Sequence, residues 1–180
     1  MPICEPKADF TAISLGGLFG QYQTLVSIVD MPLLSQYTWT AMDNKADGSI
    51  RVVTNTPVVV HKQWTLMSRL LMGVIDAGPD ILVDHINMDS LDNRRENLRV
   101  CNKSQNMANG LSRGGSSKYK GVYWDKNRNK WLSAITVNYR QIHLGRFDLE
   151  LDAVKAYNKG ALKYFGEFAR LNAVFDEELL

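Results

Sequence analysis

Four residues of one short stretch have the types and the spacing to work on a phosphodiester: Asp84, His85, Asn97 and Asn106. Together they offer one anionic oxygen, one imidazole and two amides. A hard divalent cation prefers oxygen ligands and keeps positions open for water and phosphate. The Asp84 carboxylate and the Asn106 amide oxygen are donors of that kind. Such a cation stabilises charge on the scissile phosphate and on the leaving 3′-oxygen. An imidazole with an unperturbed pKa of about 6.5 takes a proton from an attacking water near neutral pH. If one nitrogen of His85 faces that water, the other needs a fixed partner. A backbone carbonyl positioned by Asn97 is the expected one.

The elements that must position these groups are short. Ile81 to His85 reads as an apolar strand, and Asn87 to Arg95 is polar and without hydrophobic period. Asn97 to Cys101 reads as a second strand. Asn102 is placed as a helix N-cap, with Gln105 three residues on as in a capping box. The helix is predicted from about Lys103 to Asn109, with Gly110 as its C′ residue. Two strands joined by such a loop bring Asp84 and His85 near Asn97. A helix folding back over them brings Asn106, one turn inside it.

These residues, within the wording Asp84-His85-Ile86-Asn87…Leu91-Asp92-Asn93-Arg94-Arg95-Glu96-Asn97-Leu98-Arg99…Asn106, resemble the HNH nuclease motif in its His-Asn-Asn variant. The likeness is to the phage and group-I-intron type, which has a ββα-metal fold and cuts or nicks DNA with a divalent cation. The resemblance implies His85 as general base, Asp84 and Asn106 as metal ligands, and Asn97 as the asparagine that orders the loop and the base. It gives Asn93, Arg94, Arg95 and Arg99 no catalytic step. The three arginines are expected phosphate contacts.

Before this core, residues 1–80 read as a small α+β region. Residues 1–20 contain Gly16, Gly17 and Gly20 and are expected to be loop-like. Strands are predicted at Tyr22–Val29, Tyr37–Met42, Ile50–Asn55 and Val58–His61, with a break at Met31-Pro32 and a helical turn over 33–37. Asp47-Gly48 signals a hairpin turn, and Trp64 to Met72 has closer to helical period, ended by Gly73. Trp39, Trp64, Met67, Leu70 and Leu71 are the expected core. Leu34-Ser35-Gln36-Tyr37…Trp39 and Met67–Gly73 resemble the leader region of the same nucleases, where relatives commonly carry His at the place of Ser68. Arg69 is expected either to support the site or to bind phosphate.

Residues 111–117, with Ser112, Gly114, Gly115, Ser116 and Ser117, have linker composition. Beyond them three strands are predicted, Tyr119–Trp124, Trp131–Val137 and Arg140–Phe147. An amphipathic helix follows over Glu150–Phe165, ended by Gly166. From Ser117 to Asn172 the segments Tyr119-Lys120-Gly121-Val122, Ile142-His143-Leu144-Gly145-Arg146-Phe147 and Gly166-Glu167-Phe168-Ala169-Arg170-Leu171-Asn172 resemble the plant ethylene-response-factor (APETALA-type) DNA-binding domain. That resemblance implies a sheet lying in the DNA major groove, which is wide enough for strands. Strand alternation turns Ile142 and Leu144 inward, with Trp131, Ile135 and Val137. It turns Lys130, Ala134, Thr136, Gln141 and His143 outward. Lys120, Tyr123, Lys126, Arg128, Arg140 and Arg146 add hydrogen bonds and charge around that face. The plant domains place several arginines and tryptophans where this chain has Tyr123, Thr136, Gln141 and His143, so their target sequence does not carry over.

Charge supports this division. The net of +2 over 180 residues conceals three blocks. Met1 to Asn93 carries a net of −5, Arg94 to Arg146 a net of +10, and Phe147 onward a net of −3. A basic block between acidic ones is the footprint of a nucleic-acid binder. Two cysteines, Cys4 and Cys101, cannot make a four-cysteine zinc site or a disulfide framework, and a reducing cytosolic setting fits them. No basic n-region precedes an apolar run, so no signal peptide is expected. No apolar run approaches the roughly 18 residues of a membrane span.

The expected fold class is therefore α+β. A ββα-metal core at 81–110 follows the 1–80 region, and a 111–117 linker leads to a three-stranded antiparallel sheet on one helix at 118–172, with an acidic tail at 173–180. The expected activity is that of a Mg²⁺-dependent DNA endonuclease, with Mn²⁺ as substitute, of the free-standing homing type. It would be monomeric, with double-stranded DNA as its partner and neither membrane nor protein partner, and cytoplasmic (host bacterial cytoplasm for a phage-encoded chain). One alternative is a non-catalytic DNA-binding regulator on an inactive nuclease fold. Another is a structured-RNA binder, which the narrow A-form major groove disfavours.

Overall fold

The computed structural model of the protein describes residues 9–16, 21–45, 48–55, 64–112 and 114–174. It is a mixed α/β chain with, among these residues, four small antiparallel sheets. They belong to two compact units, Met1–Asn102 and Lys103–Leu180. The division falls ahead of the 111–117 stretch read as a linker, so the helix after the second hairpin strand groups with the carboxy-terminal unit.

The first unit begins with an element the sequence did not suggest. Phe10–Ser14 forms β1 and pairs antiparallel with β2, Gln23–Ser27, from Phe10 opposite Ser27 to Ser14 opposite Gln23. The glycines that made residues 1–20 look loop-like follow β1 rather than interrupt it. A short helix, α1 (Met31–Leu34), comes next with its proline in the first turn, where a missing N–H does no harm. Pro32 thus starts this turn, a little earlier than expected. The strands β3 (Thr40–Asn44) and β4 (Ser49–Thr54) make a hairpin to which the two-residue β5 (Thr65–Leu66) adds. Asp47 and the strand predicted at Val58–His61 lie outside the described residues. The expected helix from Trp64 is shorter, α2 (Met67–Leu71), because Thr65 and Leu66 bond to β4 instead.

Val26, Leu34, Trp39, Val52, Met67 and Leu71 form the centre of the first core. Val26, Leu34 and Met67 are fully buried, and each such side chain contributes about 1.5–3 kcal/mol. The Trp39 indole N–H donates to the Leu34 carbonyl at 2.9 Å, which satisfies its only donor inside the core. Trp64, expected in this core, is instead 41% exposed. Arg69 donates to the carbonyls of Val74, Ala77 and Ile81, so it shapes the turn leading into the next strand. That strand, β6 (Leu82–His85), pairs with β7 (Leu98–Cys101), each starting one residue later than predicted.

The second unit starts with α3 (Lys103–Asn109), which has the predicted bounds. Its end differs. Gly110 is not in the left-handed region expected of a C′ glycine. The Lys120 ammonium caps the helix instead, donating to the carbonyls of Met107, Ala108 and Gly110 at 2.9, 2.6 and 2.6 Å. Strands β8 (Val122–Asp125), β9 (Lys130–Val137) and β10 (Arg140–Phe147) form a meander with β9 central, and α4 (Glu150–Phe165) packs on it. Asn138 and Tyr139 both have positive φ, as the tight β9–β10 turn requires. Val122, Ile135, Ala153, Val154, Tyr157 and Ala161 form this core.

Gly121 shows how closely the sheet meets α4. Its φ is +71°, and a Cβ there would lie 2.1 Å from the Tyr157 ring and 2.6 Å from the Ala134 carbonyl. Gly114, with φ of +80°, faces open space. Gly121→Ala is therefore expected to cost about 2–4 kcal/mol, from overpacking plus the left-handed backbone. Gly114→Ala should cost only the backbone part, about 1–2 kcal/mol. Denaturant midpoints of the two variants check this, and equal losses would contradict the packing account.

Candidate functional site

The loop from Ile86 to Asn97 follows the candidate base His85, and its own polar side chains hold it. Asx-type turns start it: Asp89 N–H donates to Asn87 Oδ1, and Leu91 N–H to Asp89 Oδ1, at 2.8 and 2.9 Å. Asn97, 6% exposed, fixes its width. The Asn97 Nδ2 donates to Asn87 Oδ1 at 2.9 Å and to the Asp92 carbonyl at 2.7 Å, while Oδ1 accepts the Asn87 N–H at 2.9 Å. Asp92 is nearly fully buried and accepts from Asn87 Nδ2 and from Arg94 Nε and Nη2. The Arg94 guanidinium holds the Asp92 carboxyl below its ordinary range, against the upward push of burial.

Strand β2 is the outer support of this loop. Leu25 N–H donates to the Leu91 carbonyl and Asn93 N–H to the Leu25 carbonyl, both at 2.8 Å. Thr24 Oγ1 donates to the Leu91 carbonyl at 2.7 Å and accepts from Asn93 Nδ2 at 2.9 Å. Arg95 reaches back to the buried Asp30 with Nε and Nη2. The amino-terminal region therefore buttresses the loop through named bonds.

His85 ends β6, half-buried, with its Nε2 3.2 Å from Asn93 Oδ1. Asn93 is 1% exposed, and its Nδ2 donates to Thr24 Oγ1 and to the Ser90 carbonyl. Those two acceptors fix which end of the amide faces His85. An oxygen there requires Nε2–H, so the neutral ring carries its unprotonated lone pair on Nδ1. Desolvation pushes the His85 pKa down, and the Asn93 bond and the Asp84, Asp89 and Asp92 charges only partly offset it. Burial therefore favours the neutral form of the ring.

A fixed partner of the His85 Nε2 is therefore the Asn93 side chain. In the sequence Asn93 reads as half of an Asp92-Asn93 turn. Its one distinguishing signal is a place eight residues after His85 in a polar loop. Asn97 shapes the loop that carries Asn93.

Asp84 is 6% exposed and pairs across the ribbon with Arg99, whose Nε and Nη2 lie 2.9 and 2.7 Å from Oδ2. The register sets Asp84 opposite Arg99 and His85 opposite Leu98, so Asp84 and His85 leave the strand on opposite faces. Asn106 is exposed on α3, in the second unit. By chemistry Asp84 and Asn106 each offer an oxygen of the kind a hard cation prefers. Among the described residues no three His, Cys, Asp or Glu side chains cluster as a denser cage. Arg99 shares the Asp84 carboxylate, so a cation there meets a resident positive charge.

The arginines expected at phosphates already have carboxylate partners. Arg94 holds Asp92 and Glu96, Arg95 holds Asp30, and Arg99 holds Asp84. On the sheet, Tyr123, Lys126, Arg128, Thr136, Arg140, Gln141, His143 and Arg146 are exposed, and Lys130 is half-buried. The register aligns Tyr123 with Leu132 and Arg146, Thr136 with Gln141, and Ala134 with His143 on the face away from α4. Ala134, expected to be open, is buried, as is Leu132 beside it. Asp125 pairs with Arg128 and Arg146, and Lys130 with Asp148. Lys120 is bound at the end of α3 and stands apart from this face.

Known proteins resemble both regions. Residues 73–108 match the family model of the HNH endonucleases. An uncharacterised HNH endonuclease of Acanthamoeba polyphaga mimivirus is 28% identical over 176 residues, covering 96% of this chain and 84% of that protein. An AP2-like ethylene-responsive transcription factor of Arabidopsis thaliana is 40% identical over 57 residues, 32% of this chain and 18% of that protein. An APETALA2-like protein of Oryza sativa is 37% identical over 60 residues, 33% and 14% respectively. These likenesses support a nuclease, with DNA as its partner.

Two outcomes follow from the His85 environment. In the chelated, metal-free protein the His85 ring protons should titrate below 6.5, and an NMR titration reads this directly. Because the folded pKa is depressed, the His85 contribution to stability is complete above about 6.5 and is lost as pH falls below that through the folded pKa. A midpoint above 6.5 would contradict the burial argument. Asn93→Ala should lose about 1–3 kcal/mol by leaving buried partners unmet, measured by chemical denaturation.

Proposed function

We propose that the chain is a divalent-metal-dependent DNA endonuclease that hydrolyses or nicks duplex DNA, with residues 118–172 directing it to its sites. The observation that carries this reading is the amide-anchored His85 at the end of β6, inside the stretch that resembles HNH endonucleases. In this reading Asp84 would ligate a cation, most simply Mg²⁺ with Mn²⁺ as substitute, and Asn106 keeps the ligand role that its likeness to the HNH motif gives it. When bound, the cation stabilises negative charge on the scissile phosphate and the leaving 3′-oxygen. His85 accepts a proton from the attacking water at Nδ1 while Nε2–H stays on Asn93. Asn93 then stabilises the imidazolium through the same bond. Asn97 holds the loop geometry that keeps Asn93 in place. Arg99, beside Asp84, balances the carboxylate charge when no cation is present.

Targeting falls to the outer face of the β8–β10 sheet. Tyr123, Thr136, Gln141 and His143 stand where strands in a major groove present side chains to base edges. Arg140, Lys126, Arg128, Lys130 and Arg146 supply the phosphate contacts, the last three also paired with acidic neighbours. Arg94 and Arg95 serve the loop first and phosphates second. The setting is cytoplasmic and of the phage homing type, and the working form is a monomer. The second reading, a DNA-binding regulator without cleavage, draws on one observation: the proteins similar over 57 to 60 residues are transcription factors or APETALA2-like by name.

The test is nicking of supercoiled and candidate-site DNA with Mg²⁺ or Mn²⁺ against a chelator control. His85→Ala and Asp84→Ala should abolish cutting while duplex binding in a gel-shift assay stays within about twofold. A protein that binds a specific site yet never cuts would support the regulator. Affinity should also fall steeply between about 50 and 200 mM salt, by roughly tenfold for every two phosphates the protein neutralises. A flat response would remove phosphate binding from the account.

A further inference from the structure

The segments just after α3, just before β8 and after α4 line a cleft of about 500 Å³ in the second unit. That volume is in the range of small-molecule sites, roughly 300–1,000 Å³. Its framework is built from fixed bonds. Asn172 accepts the Lys120 N–H at 2.7 Å and returns a bond to the Lys120 carbonyl at 3.0 Å. Asn158 on α4 clamps the Asn172 backbone through both its carbonyl and its N–H. Arg170 N–H donates to the Ala108 carbonyl at 3.3 Å, fastening the same segment to α3.

The lining has a charge problem. Among the described residues it contains Lys118, Lys120 and Arg170, and no carboxylate. The Lys120 ammonium has three donors, and three carbonyls take them. It cancels the negative end of α3 and adds charge to the cleft, with no donor left for a ligand. Burial and the Arg170 charge push its pKa down to about 8. Lys118 is exposed over the Tyr119 ring, and Arg170 is half-buried. Leu111 and Leu171, 61% and 45% exposed, give the cleft apolar flanks. A ligand that suits it has an anionic head between Lys118 and Arg170 and a flat, less polar body beside the two leucines.

We propose that this cleft binds one nucleotide by its phosphate, a nucleic-acid subsite apart from the outer face of the sheet. The phosphate meets the Arg170 guanidinium and the Lys118 ammonium, and the sugar and base lie along Leu111 and Leu171. The nucleotide belongs to a DNA strand or is free in solution. Only the strand source rests on the endonuclease reading, since free nucleotide binding needs neither cutting nor duplex recognition.

The test is an NMR titration of the full chain with 2′-deoxyadenosine 5′-monophosphate, with deoxyadenosine and with inorganic phosphate, followed at the Arg170 Nε–H and the Tyr119 ring. A 5′-phosphorylated single-stranded dodecamer forms a fourth arm. The nucleotide should shift both signals at lower concentration than either fragment. Lys118→Ala and Arg170→Ala should each weaken it about tenfold, as for one charge-assisted contact, with unchanged melting temperature. Gln141→Ala on the sheet should leave it unchanged. Saturation by the dodecamer at far lower concentration assigns the site to a DNA strand, and equal response assigns it to free nucleotides. No shift from nucleotide or dodecamer at millimolar concentration overturns the proposal. So does binding of phosphate alone as tight as that of the nucleotide, or binding indifferent to both variants.

Discussion

The amide of Asn93 is the constraint on which the candidate site depends. A buried side-chain amide costs several kcal/mol unless its donors and acceptor are met. Asn93 is 1% exposed, and three partners meet it: the Thr24 hydroxyl, the Ser90 carbonyl and the His85 ring. Two of these are acceptors for its Nδ2, so its oxygen has one way to point. That orientation selects the His85 tautomer. One hydroxyl on β2 thus sets, through one amide, which nitrogen of the His85 ring carries the hydrogen.

The surrounding loop follows the same rule. It has no apolar period to dock on the core, so its buried polar groups satisfy one another. Asn97 spans it, Asp92 accepts from both Asn87 and Arg94, and β2 supplies backbone partners along one edge. The arginines that suggest phosphate binding when read alone belong first to this balance of charge. Without Arg94 and Arg95, two nearly buried carboxylates, Asp92 and Asp30, would lose their counterions. The second unit uses the same device at another scale, with one lysine closing three carbonyls at the end of α3 and just beyond it.

Much of this is legible in the residues. The β6–β7 hairpin, α3, the sheet strands and α4 are readable because their periods are local and their caps and turns lie in sequence. The residues that do the positioning are less so. Asn93 looks like a turn residue because its partners are Thr24, 69 residues away, and His85, eight away. Strand β1 is hidden by the glycines that follow it. Lys120 looks like a free cation because the carbonyls it caps belong to an earlier helix. Trp64 looks like core by type, yet it precedes the two-residue β5 and stays 41% exposed. Each miss is a contact between segments, which composition and period do not encode.

The most direct measurement of the central claim is the single-turnover cleavage rate of Thr24→Val at saturating DNA and metal, beside Thr24→Ser. Valine keeps the shape of threonine and removes the hydroxyl that orients Asn93, while serine keeps the hydroxyl. The account predicts cleavage about tenfold or more slower in Thr24→Val with unchanged DNA affinity, from misplacement of the base alone, and a near wild-type rate in Thr24→Ser. Wild-type cleavage by folded Thr24→Val would contradict it.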